Sequence, residues 1–587
     1  MGRRSFLRVF STLVLAAAFC GLGLGVNLSL GDVNVVVITD DHSWVGGHGA
    51  HESLDIDYGH VLSFYEHLVK SAEKDIFLIH NGDFIDGTGL STYPPVHLEP
   101  ILLKMPWDAV TVGNHDVYKS ETVLHMSRTG GFIEKLGGRY LTSNVIDSQS
   151  GEPLGQRFRY LKGNHTTVLT FGFIYNLEEG IGSPLVKVEP VEVVVKHDWF
   201  QNSLRKHDYD AILVMTHMGT DDPSIQVLLS AVRNGAGSEM PVQFITGHTH
   251  HRRFLVLDDW STALEAGCYL DTVGIVSFPT KQTVLSTENS KVSNLFHHDF
   301  LDATVNELKS RLGIDTLQTE KGQELTQFIH KTQQNMGLSE VIGCSPRRYY
   351  LNRPLYDDDS LFGLWTHHVI PTQFIRNDTK RLVLQGKSSS FRYDLFEGNV
   401  TLDDLMVASP FNDSMYLIAG DVPTANIVKL DRHMNRKRNQ DLPGLPDFIL
   451  IGNIDQHETH DLYTLEYEVP FIQSALEEIG GRQLKPVKVN AFATSIWQSF
   501  VERHWKNCSK PDISSGSKDT ETKAESNLLF GVSKTHVGAT IPSASPGTVA
   551  TIVAFASGIS ACILLARFIL RRLPFRLRSE HSHKHVV

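Results

Sequence analysis

Five times along this chain a short apolar run stops at a residue able to bind a metal. The runs are VNVVVI (33–38), IFLI (76–79), AVTV (109–112), AILVM (211–215) and VQFI (242–245). Behind them stand Asp40 and His42 in TDDH, Asp83 in HNGD, Asn114 in VGNHD, His217 in MTH, and His248 and His250 in TGHTH. Short apolar runs rich in β-branched residues read as buried strands. Segments such as HVLSFYEHLVKSAEK (60–74) carry apolar residues at helical spacing between them. Alternating strands and helices build an α/β sheet, in which ligand-binding positions gather at the carboxyl edge of the strands. One edge would then carry about seven oxygen and nitrogen donors.

Each motif has a chemical reading. In a D-x-H pair, alternation along an extended chain puts Asp40 and His42 on the same side. Gly82 allows a tight turn before Asp83, whose carboxylate can bridge two ions. Asn114 is a neutral oxygen donor, suited to a metal already served by carboxylates. His217 and His248 supply imidazoles, and His250 follows two residues on, again on the same side. Imidazole with carboxylate suits Zn, Fe or Mn. A single Asp or His in a loop is more often a plain polar group. All of them in order, each behind a strand, point to two ions sharing a carboxylate, an arrangement that hydrolyses phosphate esters.

The ordered set D-x-H, G-D, G-N-H-D, H and G-H-x-H closely resembles that of the calcineurin-like metallophosphoesterases. TDDHSW, GDFIDGTGL, WDAVTVGNHDVY, THMG and GHTHHRRF look like the 5′-nucleotidase branch, in particular its secreted fungal and protist members. QELTQFIHKTQQNMGLSEVIGCSPRRYY and FRYDLFEGNVTLDDLMVASPF look like that family's C-terminal domain, so the resemblance covers about residues 31–505. It implies two divalent metal ions (Zn, Mn, Fe or Mg). Asp40, His42, Asp83 and His250 would hold one, and Asp83, Asn114, His217 and His248 the other. His250 stands where many bacterial nucleotidases have Gln. His115 would be the catalytic histidine, acting while a metal-bridging hydroxide attacks phosphorus directly. An Asp three residues later orients this histidine in the bacterial enzymes; here that position is Tyr118, and Asp116 is too near in sequence to be taken as its substitute. Arg392 and Phe411 match substrate-binding positions of the second domain. The Gly-Gly-Asp loop beside the family's second aromatic is absent, as are the arginines expected near LFGLWTHHVIP. Phosphoester hydrolysis is thus the stronger expectation and a nucleoside monophosphate the weaker. A non-nucleotide ester and a catalytically quiet receptor or scaffold are the rivals.

The rest of the chain concerns location. A net charge of −12 speaks against a nucleic-acid scaffold, since phosphate backbones call for a basic surface. Arg3, Arg4 and Arg8 before the apolar stretch 10–26 read as a secretory signal at 1–26. Residues 548–566 carry no charge and just suffice to span a bilayer. Arg567, Arg571, Arg572, Arg576 and Arg578 follow, and positive charge stays cytoplasmic. The expectation is a type I single-pass membrane protein of the secretory pathway, its body lumenal or extracellular. A lipid-anchor signal would instead end in its apolar tail. Six N-x-[ST] sequons, at Asn27, Asn164, Asn377, Asn399, Asn412 and Asn507, agree with export. Cys268, Cys344 and Cys508 lie outside the signal and span, so at most one pair forms, for example Cys344 with Cys508.

The expected organisation is an α/β metallophosphoesterase domain at 31–285, of layered β-sheets flanked by helices, and a connecting helical segment at 286–339. An α+β C-terminal domain of the 5′-nucleotidase type follows at 340–508. A flexible stalk at 509–545, rich in Ser, Lys and Thr, leads to a single membrane helix at 546–566 and a basic tail at 567–587.

Overall fold

The computed structural model describes residues 26–506, except 50–51, 179, 287–291, 387–390, 412 and 437–447. The expected stalk, membrane helix and tail, and all of the signal but Val26, lie outside the described residues. Among the described residues no helix is long and apolar enough to cross a membrane.

The strand Val33–Ile38 is buried at every position, and side-chain alternation divides it between two cores. Val33, Val35 and Val37 face Leu213, Met215, Ile245 and Leu264. Val36 and Ile38 face Val61, Phe64 and Leu68 of the helix Tyr58–Ser71. The first core lies between two six-stranded sheets. One runs in the order His297–Asp302, Thr272–Phe278, Val33–Ile38, Asp75–His80, Ala109–Thr111, Tyr140–Leu141, the last four strands parallel. The other runs Arg252–Asp258, Ser261–Ala266, Val242–Thr246, Ala211–His217, Thr167–Ile174, Phe158–Lys162, its middle four parallel. Helices Asp198–Arg205 and Pro223–Ala236 cover the far face of the second sheet. The domain is a helix–sheet–sheet–helix stack. The five ligand-bearing runs therefore do not share one sheet edge: three belong to the first sheet and two to the second.

The segment 286–339 does more than connect. His297–Asp302 is an edge strand of the first sheet with only Leu301 buried, so it carries no apolar run that sequence reading could detect. Helix Glu320–Asn335 crosses Tyr58–Ser71 where two glycines meet: a Cβ on Gly59 would stand 2.2 Å from the Gly322 carbonyl oxygen.

The C-terminal domain holds a five-stranded sheet in the order Phe448–Ile451, Arg381–Gly386, Thr459–Leu465, Ser414–Pro423, Val487–Phe492. Val383, Met415 and Leu465 pack against Trp365 and Trp497 on one face. Leu382, Leu384 and Leu462 pack against Ile427, Leu430 and Ile472 on the other. Cys344 is disulfide-bonded to a partner outside the described residues, and Cys268 is a free thiol. Asn27, Asn164, Asn377 and Asn399 are all exposed, as sequons require.

Candidate metal centre

The carboxyl ends of the two sheets meet, and the loops that leave them are held in an unusual backbone state. Asp40, His42, Asp83, His248 and His250 have φ of 51°, 46°, 59°, 75° and 62°. Each such L-residue costs about 1–2 kcal/mol, so other groups must fix these loops. Buried carboxylates do so. Asp116 accepts from the backbone N–H of Asp83 (3.0 Å), Phe84 (2.9 Å) and Gly113 (2.9 Å), clamping two ligand loops together. Glu265 accepts from the N–H of Thr249 (3.0 Å) and His251 (3.2 Å) and steadies the GHTHH loop. Asp40 accepts from the His248 N–H at 2.9 Å.

The donors converge in two groups, Asp40 with His42 and His250, and Asp83 with His217 and His248, each with its ligand atoms within 4.8 Å of one another. Asp83 Oδ2 lies 3.7 Å from His42 Nε2 and 3.1 Å from His217 Nε2, so one carboxylate oxygen faces both groups. His42 Nδ1 is 2.6 Å from the Ile85 carbonyl and His217 Nδ1 is 2.8 Å from that of Asn81, which turns both Nε2 atoms inward. Backbone acceptors of this kind set the tautomer of metal-binding imidazoles.

The donor set calls for positive charge. Asn114 Oδ1 is buried with no hydrogen-bond partner. His42 Nε2 stands 3.2 Å from His250 Nε2. Burial raises the Asp40 carboxyl to about 7. Burial also resists charge on His217, but Asp83 and Asp40 prevail and lift it to about 10. Burial lowers His248 to about 4, aided by His217, and lowers His250 to about 3, aided by Arg392. The residues present fit two divalent ions.

His115 stands beside these groups, its backbone N–H donating to Asp83 Oδ1 at 2.9 Å. Its Nδ1 meets Asp86 Oδ2 at 2.5 Å, and the Tyr93 hydroxyl also donates to Asp86. Asp86 is the residue that sequence reasoning missed. Its signal was a second carboxylate three residues after Asp83, in GDFID. The Tyr118 hydroxyl accepts from Asn114 Nδ2 at 2.9 Å, which leaves the buried Asn114 Oδ1 without a hydrogen-bond partner, and the Tyr118 ring packs edge-on against that of His115 at 5.0 Å. Arg392 reaches in from the C-terminal domain, 3.0 Å from His42 Nε2 and in contact with His115 Nε2. Phe411 lies under the Arg392 guanidinium at 5.3 Å and faces the His115 ring at 6.3 Å. Every residue predicted from sequence thus comes to one place.

The profile of the calcineurin-like phosphoesterases matches residues 33–252, the span that holds all these donors. The chain carries a calcineurin-like phosphoesterase domain. This phosphoesterase is a metal-dependent phosphoester hydrolase, and its cofactors are two divalent ions. The profile of the NAD nucleotidase C-terminal domain matches residues 348–467, which include Arg392 and Phe411. An uncharacterized protein of Saccharomyces cerevisiae is 28% identical over 437 residues, 70% of this chain and 71% of that one. A protein of Arthroderma benhamiae described as secreted is 27% identical, over 68% of this chain and 66% of its own. In fold, the phosphoesterase is similar to a 5′-nucleotidase from Candida albicans, with a TM-score of 0.72 and 24% identity, covering 81% of this chain and 99% of that one. A 5′-nucleotidase precursor from Thermus thermophilus gives 0.57 at 14% identity, over 80% and 96%.

Proposed function

We propose that this phosphoesterase removes phosphate from nucleoside monophosphates or closely related small phosphoesters by direct hydrolysis. One observation carries the nucleotide part: Arg392 and Phe411 of the C-terminal domain lie together against His115. A guanidinium suits phosphate oxygens, and a flat aromatic ring beside it suits a base.

Two bound divalent ions supply a nucleophile at neutral pH and offset phosphoryl charge. Asp40, His42, Asp83 and His250 would hold one ion and Asp83, Asn114, His217 and His248 the other. His115 donates from Nε2 to a phosphoryl or leaving oxygen. Asp86 accepts its Nδ1 proton and fixes the plane of the ring. Arg392 presents its two terminal nitrogens to the same oxygens. Phe411 forms a wall for the leaving group and excludes water from it. Displacement is in line, with no covalent enzyme intermediate. Export through the secretory pathway, with the body lumenal or extracellular, is part of this reading. It rests on the signal, the sequons and the Cys344 disulfide, which belongs to an oxidising compartment.

The test is phosphate release by the full-length protein, loaded with Mn or Zn, from AMP, UMP, ATP and p-nitrophenyl phosphate, beside an Asp83→Ala control. Preference for AMP or UMP, lost in the control, supports the reading. Turnover of p-nitrophenyl phosphate alone rejects the nucleotide and leaves a phosphatase for another ester.

A further inference from the structure

Arg392 belongs to one domain and serves a site built by the other, so its usefulness depends on how its segment is tied down. Four consecutive residues divide that labour. Phe391 is buried in the C-terminal core, its ring 5.9 Å from Trp365 and 6.0 Å from Trp497. Asp394 is held within the same domain by Arg348, at 3.0 and 2.8 Å, and by the Leu351 N–H at 2.8 Å. Between these anchors, Arg392 turns to the metal centre and Tyr393 crosses to the phosphoesterase domain. The Tyr393 hydroxyl donates to Glu52 Oε2 at 2.7 Å. The same oxygen lies 2.6 Å from His48 Nδ1, and His48 Nε2 is 2.8 Å from the Tyr269 carbonyl oxygen. The Tyr393 ring sits 4.7 Å from that of Trp44 and 5.6 Å from that of Tyr269. Tyr269 in turn packs against the rings of His42 (5.5 Å) and His250 (5.2 Å). The hydrogen bond from His48 outweighs burial and holds Glu52 below its usual range, so Tyr393 meets a charged acceptor, and bonds to charged groups are the stronger kind.

We propose that Tyr393, Glu52 and His48 form a latch between the domains that positions Arg392 over the reacting phosphate. Tyr393 and Glu52 are positioning residues: neither touches the donors, and both act through the guanidinium next in the chain. The inference rests on the reading of Arg392 as the phosphate-binding group. The substrate's own affinity for Arg392 then depends on a hydroxyl outside the site.

A double-mutant cycle on the full-length, metal-loaded protein tests this, with kcat/KM for p-nitrophenyl phosphate and the Kd of inorganic phosphate as readouts. Tyr393→Phe keeps the ring against Trp44 and removes only the hydroxyl. It should lower kcat/KM and weaken phosphate binding by about tenfold in the native background, and by less than about twofold beside Arg392→Ala, since coupled residues are not additive. Glu52→Ala should reproduce the loss, and Glu52→Gln, which keeps an acceptor oxygen, should recover most of it. Equal losses in both backgrounds, or no loss from Tyr393→Phe, would overturn the latch. A harmless Arg392→Ala would instead overturn the assignment of Arg392, so the two failures are told apart.

Discussion

Asp86 Oδ2 lies 2.5 Å from His115 Nδ1. The carboxylate comes from the loop behind one strand and the imidazole from the loop behind the next, so the pair spans two of the loops clamped by Asp116. The geometry orients the ring, with Nδ1–H directed to Asp86 and Nε2 turned to the side where Arg392 and the ester lie. Asp86→Asn should then lower kcat by roughly 10²-fold, within the range for positioned acid–base groups. Bound metal, measured by elemental analysis, should stay unchanged, because Asp86 is not among the donors. Loss of metal along with activity would show that Asp86 serves the ions and not His115.

Asp83 has the opposite signature. Its Oδ2 lies between His42 and His217, one from each candidate ion site. Asp83→Ala should abolish hydrolysis and strip both ions, read as metal per chain falling to near zero. Retention of one full ion would show that the two sites are held independently.

The contrast between these two aspartates explains how much of the site was legible. Asp83 follows a glycine at the end of an apolar run, which ties it to a strand end by pattern alone. Asp86 sits in an irregular loop at a φ of 71°, and no periodicity reports where such a residue points. Tyr118 stands where the related bacterial enzymes have the orienting Asp, and only the fold shows that its hydroxyl goes to Asn114 while Asp86 meets His115. The strands and their ligands were readable because strands buried on both faces carry unbroken apolar runs that end where the ligands begin. The division into two sheets was not, since either partition buries Val35 and Val36 equally well.

Tyr118 offers a third measurement. Its hydroxyl accepts from Asn114 Nδ2 at 2.9 Å and so fixes which way the amide is turned. Tyr118→Phe should weaken the ion site that uses Asn114 by about 10- to 100-fold, the usual effect of losing a group that orients a ligand. Activity should then recover as Mn or Zn is titrated upward. A fall in kcat that added metal does not repair would place Tyr118 in the chemistry itself.

Asp403 ties the C-terminal domain to the loop that carries Asp86, accepting from the Gly89 N–H at 2.7 Å. It is half-buried, and loss of solvation raises its carboxyl from 3.8 to about 6. The folded protein therefore holds this proton more tightly than the unfolded chain does. The stabilisation that follows is complete below 3.8 and is lost as the pH rises through about 6. A shift of about two units corresponds to a loss on the order of 2 kcal/mol between pH 4 and 7. Asp403→Asn keeps an acceptor oxygen for Gly89 and does not titrate, so that pH-dependent loss should vanish in the variant, which should gain on the native protein above pH 7. Denaturant midpoints of both proteins at pH 4 and pH 7 decide the matter. Equal changes in the two would mean that water reaches Asp403 and that its carboxylate is as comfortable folded as unfolded.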